Sequence, residues 1–257
     1  MDRIVVVGSG TVVPEADRGG SSFLYEHGAG RILVDCGPCA VHSMVRYGLQ
    51  WQALTDLVIT HFHTDHVGGL PALFFSLTHG LLPATRSEPL DVWGPPGTEQ
   101  MFDGLESALG DFFRNPGFPV RIHEVGPDAE VRLESGPTLR THKTPHTPES
   151  QAVRIDVDGT GFGYSGDSGP STTLGPFFEG LSVLVCECSL PDHLVGDNHL
   201  SPSSLAPIVA AAKPGLLLLT HIYPQFREAA DVPDLVRKAG YDGKMVVASD
   251  GMVVPLG

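Results

Sequence analysis

Short apolar runs rich in β-branched residues alternate along the chain with segments of helical periodicity. The runs predict strands over 4–7, 22–25, 31–34, 57–60, 90–93, 120–124, 131–133, 153–157, 181–186, 216–220 and 244–248. Between several of these runs the apolar positions recur every three or four residues, which is typical of amphipathic helices. This alternation of strands and helices predicts an α/β fold.

The predicted helices lie between predicted strands. Apolar residues recur at helical spacing over 66–78, which indicates a helix with one buried face. Thr98 is a suitable N-cap for a second helix, and apolar residues at 235–236 mark another near the end of the chain. Ser204 is a suitable N-cap for a helix whose first turn would contain Pro207.

Glycine and proline are abundant, with 31 and 22 residues among 257, and they indicate many turns between short elements. The sequence shows no internal repeat, charge run or low-complexity linker, so we expect one domain over 1–257. No apolar run approaches the ~18 residues of a membrane span, and the first residues lack the apolar core of a secretory leader. We therefore expect a cytoplasmic protein that does not enter membranes.

The formal net charge is −14, from 16 Lys and Arg residues against 30 Asp and Glu residues. A surface of this sign repels phosphate backbones at long range. Extended binding to nucleic acid is therefore disfavoured, and any contact with nucleic acid would have to be local.

Histidine is unusually frequent, and its clearest cluster follows the predicted strand 57–60. His61 and His63 are two apart in extended chain, so their side chains can point to the same side and share one metal ion. Asp65 and His66 would project from the first turn of the next helix and can hold a second ion. A solvated polar turn would explain one or two of these residues, but not all of them at a strand-to-helix junction.

These residues cannot complete two metal shells, so further ligands must come from other strand ends. His146 precedes a predicted strand, Asp167 follows one, and His221 ends another. His142, four residues before His146, is the rival for the same ligand position.

The order H-x-H-x-D-H, a lone His, a lone Asp and a final His resembles the metallo-β-lactamase fold family of hydrolases over nearly the whole chain. The ribonuclease Z and arylsulfatase-like branch is the most similar, because Gly-Ser-Gly-Thr at 8–11, Arg-Gly-Gly-Ser-Ser at 18–22, the run at 90–97 and Asn-His-Leu-Ser at 198–201 stand in its order. The resemblance implies a four-layer αβ/βα sandwich with two mixed β-sheets flanked by helices.

The resemblance also implies a ligand set for two divalent ions per chain. One ion would be held by His61, His63 and His146, the other by Asp65, His66 and His221, with Asp167 bridging both. Imidazole and carboxylate ligands suit Zn²⁺ first, and Mn²⁺, Fe or Co²⁺ are also compatible. The absence of thiolate ligands argues against a purely structural zinc.

Two such ions would lower the pKa of a shared water and produce a metal-bridging hydroxide that attacks an ester. Asp65 counts in this scheme both as a ligand and as a catalytic residue. The resemblance places His199 near the leaving group as a proton or hydrogen-bond donor, with Glu187 as its orienting partner. A solvated loop histidine is the alternative interpretation of His199.

The substrate follows from departures from the branch pattern. Short ribonuclease Z enzymes carry a long arm between the third His and the bridging Asp, whereas His146 and Asp167 are only 21 positions apart, with a turn at 158–161 between two strands. His221 is also followed by Ile-Tyr-Pro-Gln-Phe, without the Arg expected before an aromatic residue. We therefore expect hydrolysis of small phosphodiesters or related phosphate and sulfate esters, by a protein that the resemblance predicts to be a homodimer.

Other functions remain open at this point. A tRNA 3′-processing endonuclease without the usual arm would use the same centre, and a lactonase or thioesterase would direct it at an acyl carbon. Cys36 and Cys39 spell a thioredoxin-like C-x-x-C motif, which allows a non-catalytic thiol-redox module. Those two cysteines could also join Cys186 and Cys188 on a structural zinc. The last two readings are the least favoured, because the motif follows a predicted meander rather than a βαβ unit.

Overall fold

The computed structural model describes residues 2–82, 84–157 and 160–256, which form two seven-stranded sheets. The first sheet has the order β14-β1-β2-β3-β4-β5-β6. Its strands are β1 (Arg3–Gly8), β2 (Ser22–His27), β3 (Gly30–Val34), β4 (Asp56–Val58), β5 (Leu90–Gly94), β6 (Val120–Glu124) and β14 (Val253–Pro255). Strands β14 to β3 pair antiparallel, and β3 to β6 pair parallel.

The second sheet has the order β13-β12-β11-β10-β9-β8-β7. Its strands are β7 (Glu130–Arg132), β8 (Thr138–Lys143), β9 (Gln151–Val157), β10 (Thr160–Tyr164), β11 (Val183–Glu187), β12 (Leu216–Thr220) and β13 (Met245–Val247). Strands β7 to β10 pair antiparallel, and β10 to β13 pair parallel. Both sheets are therefore mixed, as predicted.

Helices cover the outer face of each sheet. They are α1 (Ala40–Arg46), α2 (Thr64–Val67), α3 (Leu70–His79), α4 (Thr98–Leu109), α5 (Leu174–Phe177), α6 (Pro202–Ala212), α7 (Pro224–Ala229) and α8 (Val232–Lys238), with 3₁₀ turns at Trp51–Ala53 and Asp111–Phe113. Among the described residues, no helix is both long and apolar enough to cross a membrane.

Three apolar layers explain the stacking. In β1, Ile4 and Val6 face the core between the sheets, while Val5 and Val7 face the core under the helices of the first sheet. A third core lies between the second sheet and its helices. Because successive side chains of a strand point to opposite faces, strands buried on both faces read as continuous apolar runs. The α/β class and the four-layer arrangement are confirmed.

The predicted helix over 66–78 is wrong in one respect, because the chain forms α2 and α3 with Gly68 and Gly69 between them. The Gly69 amide donates to the Cys36 carbonyl at 2.8 Å, and a Cβ at Gly69 would overlap the Gly37 carbonyl oxygen. The two glycines therefore let the chain lie directly against the turn that follows β3.

Two predicted N-caps are also corrected. Gly97, with φ of 102°, precedes α4, and Thr98 is its first helical residue. Ser201 caps α6 and forms a reciprocal capping box with Ser204, so Pro207 lies inside the helix and not in its first turn. The start of α4 thus lies one residue before the predicted position and that of α6 three residues before it, and helix ends are the least certain part of such a prediction.

The ends of parallel strands define where a site can form. β4, β11 and β12 all run parallel to a neighbour, and polar segments follow their carboxyl ends. Crevices at the carboxyl ends of strands are the usual binding places of open α/β sheets. Strands β9 and β10 pair as a hairpin in the segment between His146 and Asp167. Two residues of the predicted turn in this hairpin, Asp158 and Gly159, lie outside the described residues.

Candidate metal centre

The first ligand group consists of His61, His63, His146 and Asp167, whose ligand atoms all lie within 4.8 Å of one another. His63 Nδ1 is 3.0 Å from His146 Nε2. Asp167 Oδ2 is 3.8 Å from His61 Nε2 and 3.6 Å from His146 Nε2. The segment after β4 and the loop between β8 and β9 therefore meet at Asp167, which follows β10.

The second group consists of Asp65, His66, Asp167 and His221, again with ligand atoms within 4.8 Å of one another. His221 Nε2 lies 3.1 Å from Asp65 Oδ2 and 3.5 Å from Asp167 Oδ2, and His66 Nε2 lies 3.2 Å from Asp167 Oδ1. All of these residues are buried. The structure thus brings together every residue of the predicted ligand set, with Asp167 common to both groups.

Several buried polar atoms in these two groups lack hydrogen-bond partners in the described part of the chain, as expected for atoms that bind metal ions. His61 Nε2, His66 Nε2 and Asp167 Oδ1 are buried and make no hydrogen bond of acceptable geometry among the described residues, although His66 Nε2 and Asp167 Oδ1 are only 3.2 Å apart. A buried polar atom left unpaired costs about 1–3 kcal/mol, so several such atoms facing one another need another explanation. Imidazole nitrogens and carboxylate oxygens at this separation are the ligands that divalent transition metals take in proteins.

Second contacts fix which ring nitrogen of each histidine faces the centre. His66 Nδ1 lies 2.7 Å from Asp35 Oδ2, and the same carboxylate accepts from the backbone amide and the hydroxyl of Thr60, each at 2.8 Å. Since the Thr60 hydroxyl donates to Asp35, it accepts from His61 Nδ1 at 3.1 Å. Both Nδ1 atoms therefore carry the proton, which leaves Nε2 free for a metal.

The same logic holds on the other side of the site. His146 Nδ1 donates to the carbonyl of Asn198 at 2.8 Å, and His221 Nδ1 donates to the hydroxyl of Ser189 at 2.9 Å. That hydroxyl donates to Glu187 Oε2 at 2.5 Å. His146 and His221 thus also present Nε2 to the centre.

Sequence reasoning missed Asp35 and Ser189 as partners of the proposed ligands. Asp35 directly follows β3, which pairs in parallel with β4, so its position beside the histidine segment was available from strand order. Ser189 is two residues after Glu187 and carried no comparable signal. The left-handed backbone of Asp35, with φ of 56°, is uncommon for a residue other than glycine and is tolerated here by its buried hydrogen bonds.

Tyr223 is a further residue at this site that the sequence did not single out. Its ring centroid lies 6.2 Å from that of His221, at 78° to it, and its backbone amide donates to the Ser189 carbonyl at 3.1 Å. Burial, with the carboxylates of Asp65 and Asp167, raises the pKa of its phenol. Tyr223 therefore forms part of the wall next to His221.

His199 and Glu187 lie beside the second group. His199 Nδ1 is 3.1 Å from Glu187 Oε1, and its ring stacks on that of His221 with centroids 5.5 Å apart. Glu187 is fully buried at the end of β11 and also accepts from the backbone amides of Ser168 and Leu200. Burial lowers the pKa of His199, but the hydrogen bond to Glu187 outweighs burial and raises that pKa to about 8. With Nδ1 held by Glu187, Nε2 of His199 is the free ring nitrogen.

The charges of the cluster are strongly coupled. Burial raises the pKa of Asp167, but His221 and His66 outweigh it and hold that pKa well below its ordinary value. Burial, followed by the nearby His66, lowers the pKa of His61 well below its ordinary value. Although burial lowers the pKa of His66, the carboxylates of Asp167 and Asp35 raise it well above its ordinary value. Asp167 is therefore ionised and His61 neutral, as metal binding requires, whereas His66 would lose a proton when an ion binds.

Loops from the two ends of the chain support the site. A Cβ at either Gly20 or Gly37 would overlap the carbonyl oxygen of Asp65, so glycine is required for this close approach. Asp250 accepts from the amide and hydroxyl of Ser9 at 2.8 Å and from the Gly19 amide at 2.7 Å. The loop after β1 is thus tied to the segment before β14.

The rival ligand and the cysteines lie elsewhere. His142 Nδ1 is 2.7 Å from Asp128 and its Nε2 is 2.8 Å from Thr173, so it belongs to neither ligand group. Cys36 is buried under the helices of the first sheet, whereas Cys186 and Cys188 are buried under those of the second sheet. A zinc shared by the two pairs is therefore excluded, and burial raises the pKa of the Cys36 thiol, contrary to a redox motif.

Comparison with known proteins gives a consistent result. Residues 16–221 match the family described as the metallo-beta-lactamase superfamily. The Ribonuclease Z of Mycobacterium marinum is 29% identical over an alignment of 249 residues, and the match covers 87% of this chain and 87% of that one. Among solved structures, the metallo-beta-lactamase fold protein YhfI from Bacillus subtilis superposes with a TM-score of 0.82 at 23% identity, covering 99% of this chain and 100% of that one. The short form of human tRNase Z superposes with a TM-score of 0.79 at 20% identity, covering 99% of each chain.

Proposed function

Because the chain belongs to the metallo-β-lactamase superfamily and is a metal-dependent hydrolase, we propose that it cleaves small phosphodiesters, or related phosphate and sulfate esters, at a dinuclear metal centre. The sharing of Asp167 by two ligand groups carries this proposal. A single carboxylate common to two ligand sets suits a pair of ions held close together. Zn²⁺ is the first candidate for both positions, and Mn²⁺, Fe or Co²⁺ fit the same ligands.

Each residue then has a role in the reaction. Two divalent ions, when bound, supply Lewis-acid activation of a water and of the ester oxygens. Asp65 and Asp167 offset part of the charge of the ions and hold the ligand sets together. Asp35 and Thr60 keep the rings of His66 and His61 turned so that Nε2 faces the centre.

His199 is proposed to serve the leaving group. Its Nδ1 is held by Glu187 at 3.1 Å, and its ring lies next to His146 and His221, with centroids 4.9 and 5.5 Å away. A histidine fixed through one nitrogen can donate a proton from the other to a departing alkoxide. This arrangement favours esters that expel an alkoxide over thioesters, whose thiolate departs readily without a proton.

The size of the substrate follows from what surrounds the centre. Between His146 and Asp167, the described residues form only the β9–β10 hairpin and its flanking turns. The net charge of −14 also opposes the long-range attraction of a polyanion. These observations support a small ester over a whole tRNA.

A tRNA 3′-processing activity is the second candidate, because a relative named Ribonuclease Z aligns over 87% of both chains. Hydrolysis of small phosphodiesters and tRNA 3′ processing use the same phosphodiester chemistry and differ in how much of the substrate the protein binds. A lactonase or thioesterase would direct the same centre at an acyl carbon.

A substrate panel decides among these functions. Protein loaded with Zn²⁺ or Mn²⁺ is given bis(p-nitrophenyl) phosphate, an aryl sulfate, a lactone, a thioester and a precursor tRNA. We expect the highest kcat/KM on the phosphodiester and loss of that activity in Asp167→Ala, with metal content measured in parallel. Cleavage of the precursor tRNA alone, or of the lactone or thioester alone, would contradict the proposal.

A further inference from the structure

A cleft of about 630 Å³ opens next to the segments that carry the first ligand group. Phe62, on its wall, stands between His61 and His63 in the chain. Pro148, on another wall, is two residues after His146. Two walls of the cleft therefore belong to the segments that present histidines to the centre, and the rest of the lining comes from the segment 96–101, Pro127 and Lys143. The volume of the cleft lies in the range of small-molecule sites.

The lining of this cleft is mainly apolar. The start of α4 contributes Met101, and turns contribute prolines, so that the apolar wall consists of Phe62, Pro96, Met101, Pro127 and Pro148. Phe62 and Met101 also pack at the edge of the core under the first sheet, which holds their side chains in place. A rigid wall of one aromatic ring, one thioether and prolines suits a flat apolar group.

The one cation in the lining has no hydrogen left for an anion. Lys143 Nζ donates to the carbonyls of Thr144, Thr147 and Ser150 at 2.8, 2.6 and 3.1 Å. An ammonium group has three hydrogens, and these three carbonyls account for all of them. Lys143 therefore stabilises the loop that carries His146 and is not available to bind a phosphate.

The helix end at the cleft is also neutralised. Glu124 Oε1 accepts from the backbone amides of Gly97 and Glu99, at 2.9 and 3.0 Å, at the N-terminus of α4. The side chain of Glu149 adds a further negative group to the lining. Since the amides that would attract an anion are already paired with a carboxylate, a second phosphate is disfavoured there.

We propose that this cleft binds an uncharged, flat apolar substituent of the ester substrate, such as an aryl group or a nucleobase, while the metal centre holds the phosphoryl group. The inference rests on the proposed phosphodiesterase function and narrows its substrate class. It assigns Phe62 and Met101 as specificity-determining residues for the part of the substrate that does not react. A diester carrying one apolar substituent and no further charge is then the preferred substrate.

The test uses diesters with one leaving group, p-nitrophenol, and different second substituents. The substituents are methyl, phenyl, thymidine-5′ and thymidine-5′ bearing a 3′-phosphate. Values of kcat/KM for the metal-loaded protein are divided by the rate of alkaline hydrolysis of each diester, which removes differences in intrinsic reactivity. Because removing a phenyl-sized apolar group from water is favourable, we expect a preference of about tenfold or more for phenyl over methyl.

Variants at Met101 test whether the preference for phenyl over methyl arises in the cleft. We expect Met101→Trp, which fills the cleft, to lower kcat/KM for the phenyl diester more than for the methyl diester, so that the preference falls to about threefold or less, in line with the loss of apolar burial. Met101→Leu should keep the preference, and Leu109→Ala, at the exposed far end of α4, is the matched control. Metal content is measured for each variant.

Each outcome separates the two proposals. Equal normalised kcat/KM for methyl and phenyl diesters, or a preference unchanged by Met101→Trp, would overturn the cleft assignment and leave the phosphodiesterase function standing. A higher value for the 3′-phosphorylated thymidine diester than for its uncharged counterpart would also overturn it. Absence of hydrolysis of all four diesters by metal-loaded protein would instead overturn the proposed function, and the cleft assignment with it.

Discussion

The hydroxyl of Ser189 connects His221 to Glu187, accepting from His221 Nδ1 at 2.9 Å and donating to Glu187 Oε2 at 2.5 Å. One buried serine thus links a proposed metal ligand to the carboxylate that holds His199. The proposed metal site and the proposed proton donor therefore share one hydrogen-bond network, and a substitution at Ser189 is expected to alter the position of both His221 and Glu187.

We expect Ser189→Ala to weaken metal binding by about tenfold or more, the usual effect of removing a partner of a ligand histidine. Activity should fall as well, because Glu187 loses a hydrogen bond that positions it under His199. Metal affinity is measured by competition with a chromogenic chelator. Ser203→Ala, at an exposed serine of α6, is the control, and equal affinity in both variants would contradict the prediction.

Asp35 should be as important as a ligand although it contacts no ion. It is fully buried and accepts hydrogen bonds from His66 Nδ1 and from Thr60. Asp35→Asn keeps the shape of the side chain but replaces one accepting carboxylate oxygen with a donating amide nitrogen. We therefore expect metal affinity to fall by about 10–100-fold. Asp128→Asn, which alters an exposed carboxylate beside His142, should leave metal affinity unchanged. A normal affinity in Asp35→Asn would show that the orientation of His66 does not depend on it.

Loss of His199 should depend on the leaving group. For an ester with an alkyl alcohol, which needs a proton on departure, we expect His199→Ala to lower kcat by about 10²–10⁴-fold. For p-nitrophenol, which departs readily as an anion, the loss should be much smaller. Metal content should be unaltered, and a uniform loss on both esters would argue against proton donation. No loss on either would favour the acyl-directed alternative.

The cysteines should differ sharply in reactivity. Burial raises the pKa of Cys186 to about 12 and raises the pKa of Cys36 and Cys188 as well, so these thiols stay protonated at pH 8. Cys39 is exposed. We expect iodoacetamide at pH 8 to modify one site in the native protein, identified by peptide mass analysis, and Cys39→Ser to abolish that label without loss of hydrolysis. Formation of a Cys36–Cys39 disulfide under mild oxidation would contradict this prediction.

Part of the proposed ligand set could be predicted from the residues themselves because four of its members are close together in the sequence, whereas their grouping with His146, Asp167 and His221 came from the family resemblance. His61, His63, Asp65 and His66 fall within one strand-to-helix junction, and Asp167 and His221 stand at strand ends. The contacts that orient these side chains are not local, since Asp35 is 31 positions from His66 and Ser189 is 32 positions from His221. No periodicity in the sequence marks such pairs.

Two strands were also missed for physical reasons. In β8 only Leu139 and Thr141 are buried, while Arg140 and His142 face outward, so the segment lacks an apolar run. Strand β14 has three residues and alternates exposed and buried positions, which is too short a pattern to distinguish from a turn. Both strands are defined by their neighbours in the sheet and not by their own composition.

The link between Asp250 and Ser9 spans 241 positions, and β14 pairs with β1 over a similar distance. During synthesis, the backbone bonds between the Gly20 loop and the turn after β3 can form early, but the bonds from this loop to Asp250 can form only after the segment around Asp250 has emerged from the ribosome. Most of both sheets can already have formed by then, but contacts of such long sequence separation form slowly. The nascent protein therefore passes through a period in which the histidine segment is present and its supporting loop lacks the bonds to Asp250, and we expect metal capture to be complete only after β14 has paired with β1.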